Sequence, residues 1–252
     1  MVQVSVADKF SHKYKYIYDD QIFLDMKINI VYYKIRLVGI LFRKGKRFFM
    51  SFNVEREVIR RGQIIDAALR EISANGMSKI TVEYIAKAAG LSKGGVTYYF
   101  KSKDDICEAV FKEFFDIIFQ RSKNNMDLCS DPLSKLLSFD WLYSWEDPDV
   151  SIGYPLLFDF MAEACHKESY RALFHEWVNN WVELLKNAII EGNNAGTFNC
   201  SDPDATAKAI SAVYHGLAVR WYIDRDSHST QWAITSFTDA INGLLTGSRK
   251  KI

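Results

Sequence analysis

Cysteine is scarce and unpaired in this chain of 252 residues. Cys107, Cys129, Cys165 and Cys200 are scattered, with no CxxC spacing among them. A disulfide framework or a zinc site is therefore disfavoured, and free thiols in a reducing cytoplasm are expected. Long uncharged apolar runs are also missing. A membrane helix needs about 18 or more such residues. The nearest approach, residues 28–50, is interrupted by Lys34, Arg36, Arg43, Lys44, Lys46 and Arg47. Asp8 and Lys9 interrupt any apolar region a signal peptide would need near the start. Enzyme signatures are absent as well. The five histidines make no HExxH, and there is no P-loop and no GxSxG. Cys165 and His166 adjoin in sequence, so their side chains diverge on a helix. No cofactor, no metal and no membrane partner are expected, and an all-α enzyme is a poorly supported reading.

Net charge is only +1, but it is unevenly placed. Residues 1–50 carry ten basic and four acidic side chains, residues 51–105 nine and seven, and residues 106–252 thirteen and twenty. The basic N-terminal parts would be drawn to nucleic-acid phosphates, and the acidic remainder would avoid them. A hydrophobic fraction of 48% and a charged fraction of 25% suit a globular protein with real cores.

Three parts follow from the patterning. Residues 1–50 are rich in Tyr, Phe, Ile and Lys without helical period or strand-and-turn rhythm. They read as an upstream extension from a misplaced start, or as a basic arm, and are expected to be poorly ordered in either case. From Glu55 onward everything reads as helix. Ile64, Ile65, Ala68, Leu69 and Ile72 recur at helical spacing, and Asn75-Gly76 ends that first helix. Thr81 caps a helix over 82–89, Ser92 one over 93–100, and Ser102 a long one over 102–122, with Asp105 completing a capping box. Asp131-Pro132, Asp147-Pro148 and Asp202-Pro203 are start signals. Helices are predicted over 132–143, 149–165, 169–192, 203–224 and 230–246, with Gly192 and later Gly196 marking a stop.

The stretch 81–103, TVEYIAKAAGLSKGGVTYYFKSK, has the residue logic of a helix-turn-helix. Ala86, Ala89 and Gly90 are small where two helices must touch. Ile85, Leu91 and Phe100 can face a shared core. Gly94 and Gly95 cost a solvated helix about 1 kcal/mol each against Ala, and make sense where backbone must approach DNA. Lys93, Thr97, Tyr98, Tyr99, Lys101 and Lys103 line up donors and aromatics on the exposed side.

Residues 61–109 resemble the N-terminal domain of the TetR family of bacterial transcriptional repressors. The resemblance rests on Ile65-Asp66-Ala67-Ala68, Gly76, Thr81, Ile85-Ala86, Ala89-Gly90-Leu91-Ser92, Gly94, Tyr98-Tyr99-Phe100 and Lys103. It implies operator contact by Thr81, Lys93, Gly94, Thr97, Tyr98, Tyr99 and Lys103, with Ser92 opening the helix that carries most of them. Many members have Tyr where Thr97 stands and His where Tyr99 stands, so no relative's operator sequence transfers. The resemblance further implies an all-α architecture: a three-helix DNA-binding domain over 51–105, then a helical ligand-binding and dimerisation domain over 106–252.

In that C-terminal part the aromatics suit either a helical core or an apolar pocket. Phe158, Trp177, Trp181, Tyr214 and Trp221 are the candidate pocket residues, and His215 reads first as a satisfied interior histidine. Ala205, Ala209, Ala212 and Gly216 form a small-residue face, and Ile234, Phe237, Ile241 and Leu244 a seam. Together they suggest a four-helix homodimer interface. The expected protein is a cytoplasmic, homodimeric, ligand-responsive regulator, a repressor released from a palindromic double-stranded operator by a small apolar or aromatic effector. A nucleoid-type protein binding DNA without sequence choice is the alternative.

Overall fold

The computed structural model describes residues 52–246. The extension over 1–50 lies outside the described residues. A unit boundary falls between Arg60 and Arg61, and the described residues from Arg61 onward form one compact unit. Among the described residues every regular element is helical. The helices are α1 (Phe52–Asn75), α2 (Val82–Ala88), α3 (Lys93–Tyr99), α4 (Lys103–Asp127), α5 (Pro132–Leu137), α6 (Pro148–Ala164), α7 (Glu168–Asn194), α8 (Pro203–Ile223) and α9 (Thr230–Thr246). Short 3-10 turns lie at Met77–Lys79 and Asp140–Tyr143.

Local chemistry sets these boundaries. Gly76 follows α1 with φ +81°, and its N–H bonds the Ile72 carbonyl, so a left-handed residue closes the helix. The α2–α3 turn is a Schellman motif: Leu91 N–H bonds Ala86 O, Gly90 N–H bonds Lys87 O, and Gly90 has φ +65°. The N-caps are Thr81, Ser92, Ser102, Asp131, Asp147 and Asp202, each accepting a backbone N–H of the helix it opens. The Ser102 capping box closes through Asp105, whose carboxylate also accepts Lys101 N–H.

Three expectations differ from the fold. The helix expected over 102–122 runs on to Asp127. The helix read over 132–143 is interrupted: α5 stops at Leu137, and a 3-10 turn follows. Leu136, Phe139, Leu142 and Tyr143 are all buried, and a break lets side chains off one helical face reach the same core. Gly192 does not stop α7, which runs to Asn194; Gly196, with φ +73°, does. At Gly192 the ring of Phe198 lies where a Cβ would be. That glycine makes room for the chain folding back.

Within Arg61–Ile252, one core lies among α1–α4 and another among α4–α9. Ile64, Ile72, Ile85, Val96, Phe100 and Ile106 fill the first. Phe114, Leu136, Phe160, Ile189, Trp221 and Ile241 are in the second. Helix α4 contributes to both and runs unbroken across 105/106.

Candidate functional site

The exposed side of α3 is built by its buried side. Val96 is fully buried and Phe100 nearly so, which turns Lys93, Gly94, Thr97 and Tyr98 outward. Tyr98 is 82% exposed, an unusual position for a large aromatic in a folded chain. Its ring meets that of half-buried Tyr99 edge-on at 4.9 Å. Arg61 of α1 fixes the end of the helix: its guanidinium donates to the Tyr99 carbonyl at 2.7 Å and lies 4.2 Å from the Phe100 ring centre. Gln63 Nε2 donates to the Ala89 carbonyl at 2.6 Å, bracing the turn. Around Gly94 a Cβ would meet only the Ser92 hydroxyl, at 4.0 Å, so the glycine is not required by packing within the chain. Lys93 pairs with Glu83 of α2 at 2.5 Å, both exposed, and the lysine's hydrogen bond holds the Glu83 carboxyl below its ordinary value.

Of the predicted DNA-side residues, Thr81, Ser92, Lys93, Gly94, Thr97 and Tyr98 are all exposed. Thr81 and Ser92 spend a hydroxyl lone pair on capping α2 and α3. The Thr97 hydroxyl donates to Gly94 O at 3.3 Å. Lys103 is half-buried, and its ammonium donates to the Met77 carbonyl at 3.0 Å.

That lysine belongs to a junction joining the helix-turn-helix to α6 and α7. Met77 N–H donates to Asp159 Oδ2 of α6 at 2.6 Å. Tyr170 of α7, fully buried, donates to Asp104 Oδ1 at 3.1 Å. Lys167 Nζ lies 2.7 Å from the same oxygen. Burial raises the Asp104 pKa, but the hydrogen bonds from Lys167 and Tyr170 outweigh it and hold the carboxyl low. Tyr170 lies tilted against Phe160 at 4.7 Å, and Phe160 stacks on Phe111 of α4 at 3.6 Å. Phe111 and Phe115 meet Trp177 of α7 edge-on, at 6.0 and 5.1 Å.

Trp177 leads to a partly open cavity whose empty space of about 350 Å³ includes open solvent. It lies among Trp177 and Trp181 of α7, Tyr214 and His215 of α8, Phe139 of the α5–α6 segment and Phe237 of α9. No Asp, Glu, Lys or Arg lines it among the described residues. The His215 Nδ1 is 2.7 Å from the Ser211 carbonyl, which can only accept, so Nδ1 carries the proton. Burial lowers the His215 pKa and keeps the ring neutral. Among the described residues, Nε2 of His215 and Nε1 of both Trp177 and Trp181 are buried without a hydrogen-bond partner. Tyr154 donates to Leu142 O at 3.0 Å, so its hydroxyl accepts from Tyr214 at 2.8 Å.

Three of the five candidate pocket residues, Trp177, Trp181 and Tyr214, therefore share this cavity. The other two do not line it. Trp221 is fully buried, donating to Thr230 and stacked on Trp145 at 4.1 Å. Phe158 packs on Tyr154 and Tyr222. Sequence reasoning missed Phe139 and Phe237 as lining residues, and it missed Asp159, Lys167 and Tyr170 at the junction. Nothing in their local sequence marks them; the junction contacts of Asp159, Lys167 and Tyr170 each span more than 60 residues of chain.

The comparisons with known proteins bear on the family and the fold. Residues 64–110 match the model of the bacterial regulatory proteins of the tetR family, and residues 154–246 match that of the BetI-type transcriptional repressor C-terminal region. The HTH-type transcriptional regulator BetI of Paraburkholderia xenovorans is 28% identical over 195 residues, covering 74% of this chain and 94% of that protein. The HTH-type transcriptional repressor KstR2 of Mycolicibacterium smegmatis is 27% identical over 175 residues, covering 65% and 79%. Among solved structures, a transcriptional regulator of the TetR family from Cytophaga hutchinsonii superposes with TM-score 0.68 at 19% identity, over 77% of this chain and 98% of its own. A transcriptional regulator from Saccharomonospora viridis, solved in complex with choline, gives TM-score 0.67 at 20% identity, over 75% and 98%. Both show the same fold.

Proposed function

The chain belongs to the TetR family of bacterial transcriptional regulators, and from that premise we propose a homodimeric repressor that leaves a palindromic operator when a small, largely apolar effector enters the cavity beside Trp177. That it is a ligand-responsive, DNA-binding regulator follows from its relatives. The operator contacts, the dimer and the effector site are the proposal. The observation that carries the DNA contacts is the bare outer side of α3, where Tyr98 stands 82% exposed beside Gly94. Lys93, Thr97, Tyr98 and Tyr99 would meet the major groove and its phosphates, with the backbone at Gly94 close behind. The caps of α2 and α3, at Thr81 and Ser92, would border the phosphates. Lys103 would reach a phosphate with the donors it does not give to Met77.

Two copies of α3 would enter successive major grooves about 34–36 Å apart. The proposed dimer buries α8 and α9 against their counterparts. Ala212 and Gly216 of α8 and Gly243 of α9 are exposed, and a Cβ on either glycine would meet nothing within 4 Å. Phe237 and Ile241 of the α9 seam are buried within the chain, leaving Ile234 and Leu244 half-buried for the partner.

Release would run through α4. A ligand against Trp177 displaces Phe111 and Phe115, and α4 carries that shift to Asp104 and Lys103 at the Met77 turn. The coupling between effector and operator would be about 1–3 kcal/mol. A mobility-shift assay on DNA upstream of the gene tests the assignment. Tyr98→Ala should weaken binding by about tenfold with an unchanged melting temperature, because so exposed a ring stabilises little. Undiminished affinity in both Tyr98→Ala and Lys103→Ala would sink the contacts. Equal binding to palindromic and random DNA would favour a nucleoid-type protein.

A further inference from the structure

We propose that the cavity between α7 and α8 takes a neutral, largely apolar molecule bearing a hydroxyl group, which accepts from the indole N–H of Trp177 or Trp181 and donates to Nε2 of His215. This inference rests on the cavity being the effector site, and names the chemistry of what enters.

Three residues that line this apolar cavity each carry a buried polar atom without a partner among the described residues: two indole N–H donors and one imidazole nitrogen. An unpaired buried polar atom is costly, and sites of this kind select ligands that pair it. The protonation state is settled locally. Nδ1 of His215 is committed to the Ser211 carbonyl at 2.7 Å, so Nε2 of the neutral ring is an acceptor. The indoles are donors only. The Trp177 and His215 ring centres lie 5.5 Å apart, and those of Trp177 and Trp181 6.5 Å apart, so the three side chains cluster in one part of the lining.

The ligand must therefore accept and donate at one point. A hydroxyl does both. A ketone or ester accepts only and leaves Nε2 unpaired. A carboxylate would bring a charge into a lining with no Lys or Arg, and would repel the Nε2 lone pair. A quaternary ammonium would enter a lining without a carboxylate and pair with neither indole N–H. Its ring contacts alone would have to hold it. The rest of the cavity, walled by Phe139, Phe237 and the rings above, asks for an apolar body.

The test is calorimetric titration of the full chain with 4-ethylphenol, ethylbenzene and choline chloride. The first two share a body and differ by the hydroxyl; choline carries a hydroxyl and a permanent charge. The expected result is that 4-ethylphenol binds at least about tenfold more tightly than ethylbenzene, and more tightly than choline. In His215→Phe that preference should shrink to about twofold while ethylbenzene affinity is kept. Trp177→Phe, which keeps a ring and loses the N–H, makes the same comparison if the first variant fails to fold. Equal affinity for the two neutral probes overturns the hydroxyl assignment and leaves the effector site standing. Choline binding in preference to 4-ethylphenol overturns the neutral class and also leaves the site standing. Heats absent for all three at millimolar concentration overturn both the inference and the effector site.

Discussion

Glu83 is an acidic residue on the face we assign to DNA. It pairs with Lys93 at 2.5 Å, and both side chains are exposed. Such a pair holds little free energy in water, so Lys93 is readily recruited by a phosphate. The carboxylate then remains beside the nucleic acid as an uncompensated repulsion. Glu83→Gln should tighten operator binding by about threefold at 0.1 M salt, with the gain fading as salt rises. Fluorescence anisotropy across a salt series measures this, and weaker binding by the variant would remove Lys93–Glu83 from the DNA face. The residues of this face were readable in the sequence because helix caps and turn glycines act over three or four residues. Thr81, Gly90, Ser92 and Ser102 all do what their spacing implies. Lys103 is the instructive exception. Its position in the motif was legible, but its engagement with Met77 O depends on where the 3-10 turn folds, 26 residues upstream.

Among the elements, α4 and α7 depend on contacts that no local pattern marks. Arg121 near the end of α4 bonds Asp147 at 2.5 Å and Asp149 at 2.7 Å, and its guanidinium lies 3.8 Å from the Trp141 ring. It thereby ties α4 to the first turn of α6. Burial raises the Asp149 pKa even beside this partner, so the carboxylate would be poorly placed alone. Arg121→Ala should lower unfolding free energy by about 2 kcal/mol in a urea titration, a figure reduced for the partial exposure of the arginine. A change within error would make the pair incidental. In α7, Gly192→Ala places a methyl on the Phe198 ring. The expected cost is about 1–3 kcal/mol, read as a lower melting temperature with unchanged helicity at 25 °C. A neutral or stabilising result, which helix propensity alone would give, would show that Phe198 does not pack there in solution. Helix starts were legible throughout, as the three Asp-Pro pairs show. Helix interiors were less so: α6 continues through Pro155, whose usual cost of about 3 kcal/mol is offset by the burial of Ile152, Tyr154, Leu156 and Leu157 around it.

For the whole molecule, stability should depend on pH through His215. Burial holds its pKa below the ordinary 6.5. The unfolded chain then binds more protons than the folded one as pH falls through about 6.5, so stability drops on the acid side. The loss continues until the folded ring itself protonates. Tyr214, the other titratable group of the lining, is pushed upward by burial and stays neutral throughout this range. In His215→Phe the fall in melting temperature between pH 7.5 and 5.5 should be smaller than in the parent chain. An equal fall in both would assign the acid sensitivity to other groups. At this scale the proposed dimer sets how the two α3 helices are spaced, and sedimentation of the purified protein reads its stoichiometry directly.

The sequence by itself determined the class of the protein. Caps, turn glycines and apolar period are local, so the helix-turn-helix at 81–103 and the helical frame behind it could be read without coordinates. The tertiary structure decided which aromatics share a cavity, and which polar atoms there lack partners. Trp177, Tyr214, Phe139 and Phe237 come from three helices and one loop segment, brought together only by packing. All are aromatic residues at ordinary core spacing, so nothing local separates those that line the cavity from those, like Trp221, that fill the core.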